Sequence, residues 1–403
     1  MREDETLIVF PARLSQWISS PFSPVSYVSS ELIDEPPAPE DKPPARRRRI
    51  LWTLVIVLLL AVGLYRVYAG LAANIRHIEV TRDDLGEDRP AKSASDALNI
   101  LLLGSDQQND KDGDYRGERT DTIMVVHLSA RRNEAAVISF PRDLRVQLPK
   151  CRAREGLPGQ RGQRGMINAS FTVGGIGCIW KTIETLTGIH IDHFVKVDFT
   201  GFKSMVDAAG GVELCISEPI HDKYVQLNLP AGLQTLQGEE ALGYVRTRHS
   251  LGDGSDIGRI QRQQHFLSAM ATKLMSGGIL AHPVRLFGFL DAVGKSVTTD
   301  PGLTPRAMIE IALAVRGLSS DHIHFVIAPW RNARGYPGRV ELLDGPARKL
   351  FRMIAADQPL SEQKETRLAA SQAAGTETGI RGTDAASASP ATTPGSTAHC
   401  TVN

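Results

Sequence analysis

The stretch NILLLGSD at residues 99–106, with TIMVVHL at 122–128 and AVISF at 136–140, decides the fold. Each is a short apolar run, the pattern of a strand buried on both faces. FVKVDF (194–199) alternates like a strand. Phe202, Met205, Val206 and Ala209 then recur at i, i+3, i+4, i+7, which predicts a helix that stops at Gly210-Gly211. VELCIS (212–217) returns to period two. Strands alternating with helices predict an α/β domain. Further on, Ser255 is placed to cap a helix with Ile260, Leu267, Ala271 and Leu274 as its apolar stripe. Arg259, Arg262 and Gln263 share another face in its opening turns, where the helix dipole favours anions.

Outside this segment the chain changes character. Ile50–Tyr65 carries no charge, and the apolar run continues to Ala73, interrupted only by Arg66. As a helix, 50–73 would measure about 36 Å against a bilayer core of about 30 Å. Arg46–Arg49 stand just before it, which places the N-terminus in the cytoplasm and the bulk of the chain outside. About fifty residues precede the span, too many for a cleaved signal peptide. Residues 1–49 read as a cytoplasmic disordered tail, 74–96 as a linker, 97–357 as the ordered domain and 358–403 as a low-complexity tail. The whole has 403 residues, 42% hydrophobic and 23% charged, with 46 Lys+Arg against 45 Asp+Glu and a net charge of +1. That balance argues against a nucleic-acid coat, which needs a positive field.

The four cysteines are too few for a disulfide scaffold and lack zinc-ribbon spacing. On an oxidising side, Cys151 and Cys178 are the pair available for a disulfide, closing a Gly- and Arg-rich loop. Cys215 alternates within a strand and reads as a buried thiol, and Cys400 as an unpaired tail cysteine.

Charged groups gather at the ends of the predicted strands. Asp106 follows Gly104, and Pro141-Arg142-Asp143 follows AVISF. In an extended segment Arg246 and Arg248 point to one side. Ligands of open α/β sheets sit beyond the carboxyl ends of strands. Arg119 and Asp121 instead precede a strand, and reach the same place only if it runs antiparallel or its loop folds back. Arginine suits phosphate because its planar fork donates two parallel hydrogen bonds. Aspartates in the same place make sense if a cation stands between them and the phosphate, as Mg²⁺ does with one or two carboxylates. A pyrophosphate with Mg²⁺ satisfies both residue types, whereas surface salt bridging would explain any single pair. Other chemistries lack their motifs. Gly294-Lys295-Ser296 is no P-loop, because the upstream glycine position holds Phe289. HExxH and GxSxG are absent from the sequence. His127 lies in an apolar strand as a satisfied interior or edge residue, and the Asn168-Ala-Ser sequon reads as structural.

These blocks, in order, resemble the LytR-CpsA-Psr family of bacterial cell-envelope proteins. The matching stretches are NILLLGSD, RTDTIMVVHL (119–128), ISFPRDLRVQLP (138–149), INASF (167–171), 187–214, 229–250 and GSDIGRIQRQQHF (254–266). The likeness covers about 97–330, and the single N-terminal span agrees with it. It implies an α/β/α sandwich around a mixed central sheet, with an apolar pocket for a prenyl chain. It also implies a phosphotransferase that moves a glycopolymer phosphate from a polyprenyl-pyrophosphate carrier to a sugar hydroxyl of peptidoglycan. The polymer is a teichoic acid, capsule, arabinogalactan or related glycan, depending on the organism. By position, Asp106 and Asp121 match aspartates associated with Mg²⁺ (or Mn²⁺). Arg119, Arg142, Arg246, Arg248, Arg259 and Gln263 match pyrophosphate-binding residues, with Arg262 and Asp256 in the same block. Asp121 or Asp143 would assist deprotonation of the acceptor. Gln107-Gln108-Asn109 departs from the family's GSDxR, so one phosphate contact is missing or supplied by Arg116. The expected partners are the lipid-linked glycopolymer, peptidoglycan and the membrane, without nucleic acid. A hydrolase using water, a non-catalytic binding module and a transcription attenuator are the alternatives. High Ala, Arg and Gly usage with the two loop cysteines points to an actinobacterium.

Overall fold

The computed structural model describes residues 45–92, 96–106, 119–154, 156–248, 256–276, 279 and 282–360. The readings of Ser255, Arg116, Gln107–Asn109, Cys400, the tail before residue 45 and the tail from 361 lie outside them. The chain divides into two compact units, 1–59 and 60–403. Helix α1 (Ala45–Asn74) is the described part of the first unit and continues into the second. Its side chains from Ile50 to Leu60 are mostly apolar and exposed, and it is long and apolar enough to cross a membrane.

A seven-stranded mixed sheet runs through the second unit. Its strands are β1 (Arg76–His77), β2 (Leu98–Ser105), β3 (Thr120–Leu128), β4 (Ala135–Phe140), β7 (His193–Val197), β12 (Val297–Thr299) and β13 (Ile323–Ile327). Their order is β1-β12-β7-β2-β3-β4-β13. β2 runs parallel to β7 but antiparallel to β3, and β4 parallel to β13 but antiparallel to β3. Smaller antiparallel pairs are β5 (Arg145–Leu148) with β6 (Gln163–Met166), β8 (Val212–Ile216) with β11 (Gly232–Leu236), and β9 (Ile220–Asp222) with β10 (Leu227–Leu229). β14 (Trp330–Asn332) pairs with β15 (Val340–Leu342). The strand predicted at 212–217 therefore forms, but outside the main sheet.

Helices cover both faces. On one, α3 (Ile167–Thr187) and α9 (Asp344–Ala355) bury Phe171, Ile179, Ile183, Phe351 and Ile354 against Leu101, Leu103, Ile123 and Ile138. Full burial of each such side chain contributes about 1.5–3 kcal/mol. On the other lie α4 (Phe199–Ala208), α5 (Gly238–Arg246), α6 (Asp256–Ser276), α7 (Pro283–Ser296) and α8 (Pro305–Val315). Val206, Leu242, Val245 and Phe266 make a core there with β8 to β11. The sandwich is as expected, but β2 is not buried equally on both faces. Leu101 and Leu103 are fully buried, while Leu98, Ile100, Leu102 and Gly104 are half-buried.

The expected linker at 74–96 is a correction. β1 joins the sheet edge beside β12, and α2 (Arg82–Leu85) packs Leu85 into the core of the α3 face. Arg89 donates to both carboxylate oxygens of Glu184, at 2.9 and 2.6 Å. The segment lacks long periodicity, so only its tertiary partners order it. Past 357, Leu360 is also buried.

Cys151 and Cys178 form the disulfide, with Cα atoms 5.6 Å apart. Gly175, at φ 64°, kinks α3 just before Cys178, and a side chain there would meet Leu157 at 2.8 Å. Cys215 is a second correction, being exposed on β8 and disulfide-bonded rather than a buried thiol. His127 is buried and satisfied as expected, between Asn99 Oδ1 at 2.8 Å and Asp357 Oδ1 at 3.2 Å.

Candidate active site

The antiparallel pairing of β2 with β3 answers how Arg119 and Asp121 reach the carboxyl end of β2. Asp106 and Arg119 face each other there. The Asp106 N–H donates to the Arg119 carbonyl at 3.1 Å, and the Arg119 N–H to Asp106 Oδ1 at 2.8 Å. Just inside, Gly104 pairs with Thr122 and Ser105 with Thr120, which leaves Asp121 as the extra residue of a β-bulge. Bulges re-aim side chains at the rims of sheets. The Thr120 hydroxyl lies 3.0 Å from the Gly104 carbonyl and 2.9 Å from that of Thr122, fastening the bulge. Thr120→Val should lower the activity of the site about tenfold while costing about 1 kcal/mol of stability, since it removes a buried hydroxyl contact but no charged group. Paired turnover and thermal melts check this.

Arg142, in the loop after β4, donates through Nη1 to Asp121 Oδ1. Its Nε lies 3.6 Å from both Asp143 Oδ2 and Asp256 Oδ1. Arg259, 3% exposed on α6, pairs with Asp256 and lies 3.6 Å from Asp121 Oδ2. Arg248 donates to Asp256 Oδ1 at 3.1 Å. Asp256 is thus the common acceptor of three arginines. Arg246, the last residue of α5, lies with its guanidinium 4.3 Å from the centre of the Phe199 ring.

Burial would raise the Asp121 carboxyl, but the Arg259 and Arg142 charges outweigh it and hold it below the ordinary 3.8. Burial pulls the Arg142 guanidinium down, yet Asp121, Asp256 and Asp143 leave it raised overall. Because the folded Asp121 pKa is depressed, its stabilisation is complete above the unfolded value and is lost as pH falls through the folded one. The melting-temperature gap between wild type and Asp121→Asn should therefore stay constant from about pH 8 to about pH 5 and close below about pH 3.8. A thermal series across that range checks it.

Behind these charges lies a cavity of about 440 Å³. The open face of β2 and β3 supplies Leu102 and Met124, and Val195 and Val197 of β7 continue the wall. Phe199, Phe202, Phe266 and Met270 close it from the helices. Asp121, Arg142, Arg246, Arg248, Arg259 and Gln263 also line it, so an apolar interior opens beside a cationic mouth. The buried Nε atoms of Arg142, Arg248 and Arg259 have no hydrogen-bond partner. Such donors are costly to leave unmet and suit a multivalent oxyanion.

Several predicted residues stand beside the cavity rather than in its wall. Arg119, Asp106, Asp143 and Arg262 do not line the cavity. Arg262 donates to the Thr247 carbonyl at 2.5 Å, and Gln263 to that of Val245 at 3.4 Å, so both hold the end of α5. Asp143 accepts from Arg339 at 2.6 Å, a residue that no motif marks. The Asn168 N–H reaches the Arg142 carbonyl at 3.4 Å, tying INASF to the site as structure. For a divalent cation, the described residues hold no group of three His, Cys, Asp or Glu able to bind one alone. Asp121, one-third exposed at the mouth, fits a cation whose remaining ligands are phosphate oxygens and water.

An arginine-ringed mouth on an apolar cavity has the chemistry to hold an amphiphile with an anionic head. A sequence model of the LytR_cpsA_psr family matches residues 68–342, and the chain belongs to that family. It is 39% identical over 232 residues to the probable cell wall biosynthesis protein LcpB of Corynebacterium glutamicum, covering 54% of this chain and 52% of that protein. The chain thus spans about half the length of that relative. It is 26% identical over 259 residues to the polyisoprenyl-teichoic acid--peptidoglycan teichoic acid transferase TagU of Bacillus cereus, covering 62% of this chain and 78% of TagU. The crystal structure of B. subtilis TagV shares the fold, with a TM-score of 0.54, 24% identity, and 66% and 99% of the two chains covered.

Proposed function

We propose that this protein is a phosphotransferase of cell-wall assembly, moving a glycopolymer phosphate from a polyprenyl-pyrophosphate carrier to peptidoglycan. The observation that carries this is the apolar cavity whose mouth holds Arg142, Arg246, Arg248 and Arg259. A prenyl tail would lie against Leu102, Met124, Phe202 and Phe266, out of water. The arginines would take the pyrophosphate oxygens and neutralise the leaving lipid phosphate. Phosphate oxygens would also draw Arg142 and Arg259 from Asp121, making its carboxylate more basic toward the acceptor hydroxyl proton. Asp143 is held by Arg339 and serves better to position Arg142. Mg²⁺ or Mn²⁺ at Asp121, with Asp106 at the adjoining strand end, would supply further neutralisation of the phosphates.

The exposed apolar face of α1 and the arginines at its start support a single-pass anchor with a cytoplasmic N-terminus and an extracytoplasmic site. Anchoring would keep the site near its lipid and raise the effective concentration. The test is the full chain in detergent with a short glycan on polyprenyl pyrophosphate, a peptidoglycan oligomer and Mg²⁺. Mass spectrometry should find glycan joined to the oligomer by a phosphodiester. Free glycan phosphate without conjugate would replace the reading by a hydrolase, and intact bound lipid by a binding module.

A further inference from the structure

Asp222, on β9, is 3% exposed and absent from the pattern that identified the mouth. One carboxylate oxygen accepts the Thr247 hydroxyl, and the other the Tyr224 N–H at 2.9 Å. Tyr224 directly precedes Val225, and Thr247 directly precedes Arg248. The two partners of Asp222 therefore adjoin two parts of the site. Val225 is part of the apolar cavity wall, and Arg248 is part of the mouth. Thr247, fully buried between Arg246 and Arg248, is the link: its hydroxyl goes to Asp222 and its carbonyl to Arg262 of α6.

We propose that Asp222 is a positioning residue that couples the tail cavity to the head-group arginines. This rests on the reading of the site as one for a prenyl pyrophosphate. A tail packed on Val225 orders the β9–β10 connection. The shared carboxylate then orders Thr247 and, through it, the adjoining Arg248, so the arginine meets the pyrophosphate with less freedom left to lose. A ligand that prepays ordering in this way tightens the binding of a second one without a large structural change. The device suits an amphiphilic substrate, because head and tail then report on each other and a free phosphate is held less firmly than the lipid.

The probes are inorganic pyrophosphate for the head and farnesol for the tail, titrated separately and together into the full chain in detergent. Wild type should bind pyrophosphate about 5–10-fold more tightly when farnesol is saturating, within the usual range of coupling between sites. Asp222→Asn keeps the shape but turns one accepting oxygen into a donor, and Thr247→Val removes the hydroxyl. Both should reduce the enhancement to below about twofold, whereas Thr247→Ser should retain it. An effect of packing alone would weaken each ligand but leave their ratio intact. Unchanged coupling in both variants, or separate binding without coupling in wild type, overturns the inference. Failure of wild type to bind either probe overturns the underlying reading of the site, and the inference with it.

Discussion

Arg142→Ala should lower transfer by about 10²–10³-fold, the usual loss when one preorganised donor to developing charge is removed. The residue has two tasks. It brings a buried Nε without a hydrogen-bond partner to the mouth, and it neutralises a cluster of acids. Asp121, Asp143 and Asp256 all lie within its ion-pair reach. Without it Arg259 remains between Asp121 and Asp256, so the fold should survive while the mouth loses its central cation. Arg142→Lys restores the charge but not the planar fork, and should recover only part of the activity. Measuring kcat and KM separately for both variants checks the assignment. A loss confined to KM would make Arg142 a binding residue whose contribution is the same before and during reaction.

The second large effect is on stability. The Cys151–Cys178 bridge spans a sequence separation of 27, and a loop of that size should contribute about 3–4 kcal/mol by restricting the unfolded chain. The double change to serine should lower the melting temperature by roughly 6–16 °C, taking about 2–4 °C per kcal/mol for a larger domain. Local contacts will keep the loop partly ordered. Cys151 exchanges backbone hydrogen bonds with Gln160, and Arg154 donates to Asp84 of α2. Transfer activity below the new midpoint should stay close to wild type, because none of the cavity-lining residues lies between the two cysteines. Melting curves with and without reductant, alongside turnover at low temperature, test both parts.

The strands were legible because their cores are continuous apolar runs, and β2, β3 and β4 form where such runs stand. The arginines were legible because clustered guanidinium groups at strand ends have few other uses. Pairing was not legible. Asp256 meets Arg142 across 114 positions and Arg339 meets Asp143 across 196, and no local pattern encodes such distances. Gln263 and Arg262 looked like phosphate ligands from their place on the helix. One donor of each also satisfies a carbonyl at the end of α5, which periodicity does not reveal, while Gln263 keeps its place in the cavity wall. The segment before β2 looked like a linker for the converse reason: α2 is a single turn and β1 two residues, so partners far along the chain order both.

The Asp106 N–H bond to the Arg119 carbonyl and the Arg119 N–H bond to the Asp106 carboxylate hold the two ends of the intervening chain side by side at the bulge. Doubling such a loop adds only about 0.6 kcal/mol of closure entropy. Insertions and deletions there can accumulate over evolutionary time while Asp121 keeps its aim. That clasp uncouples the aim of Asp121 from the length of sequence that evolution places between its two ends.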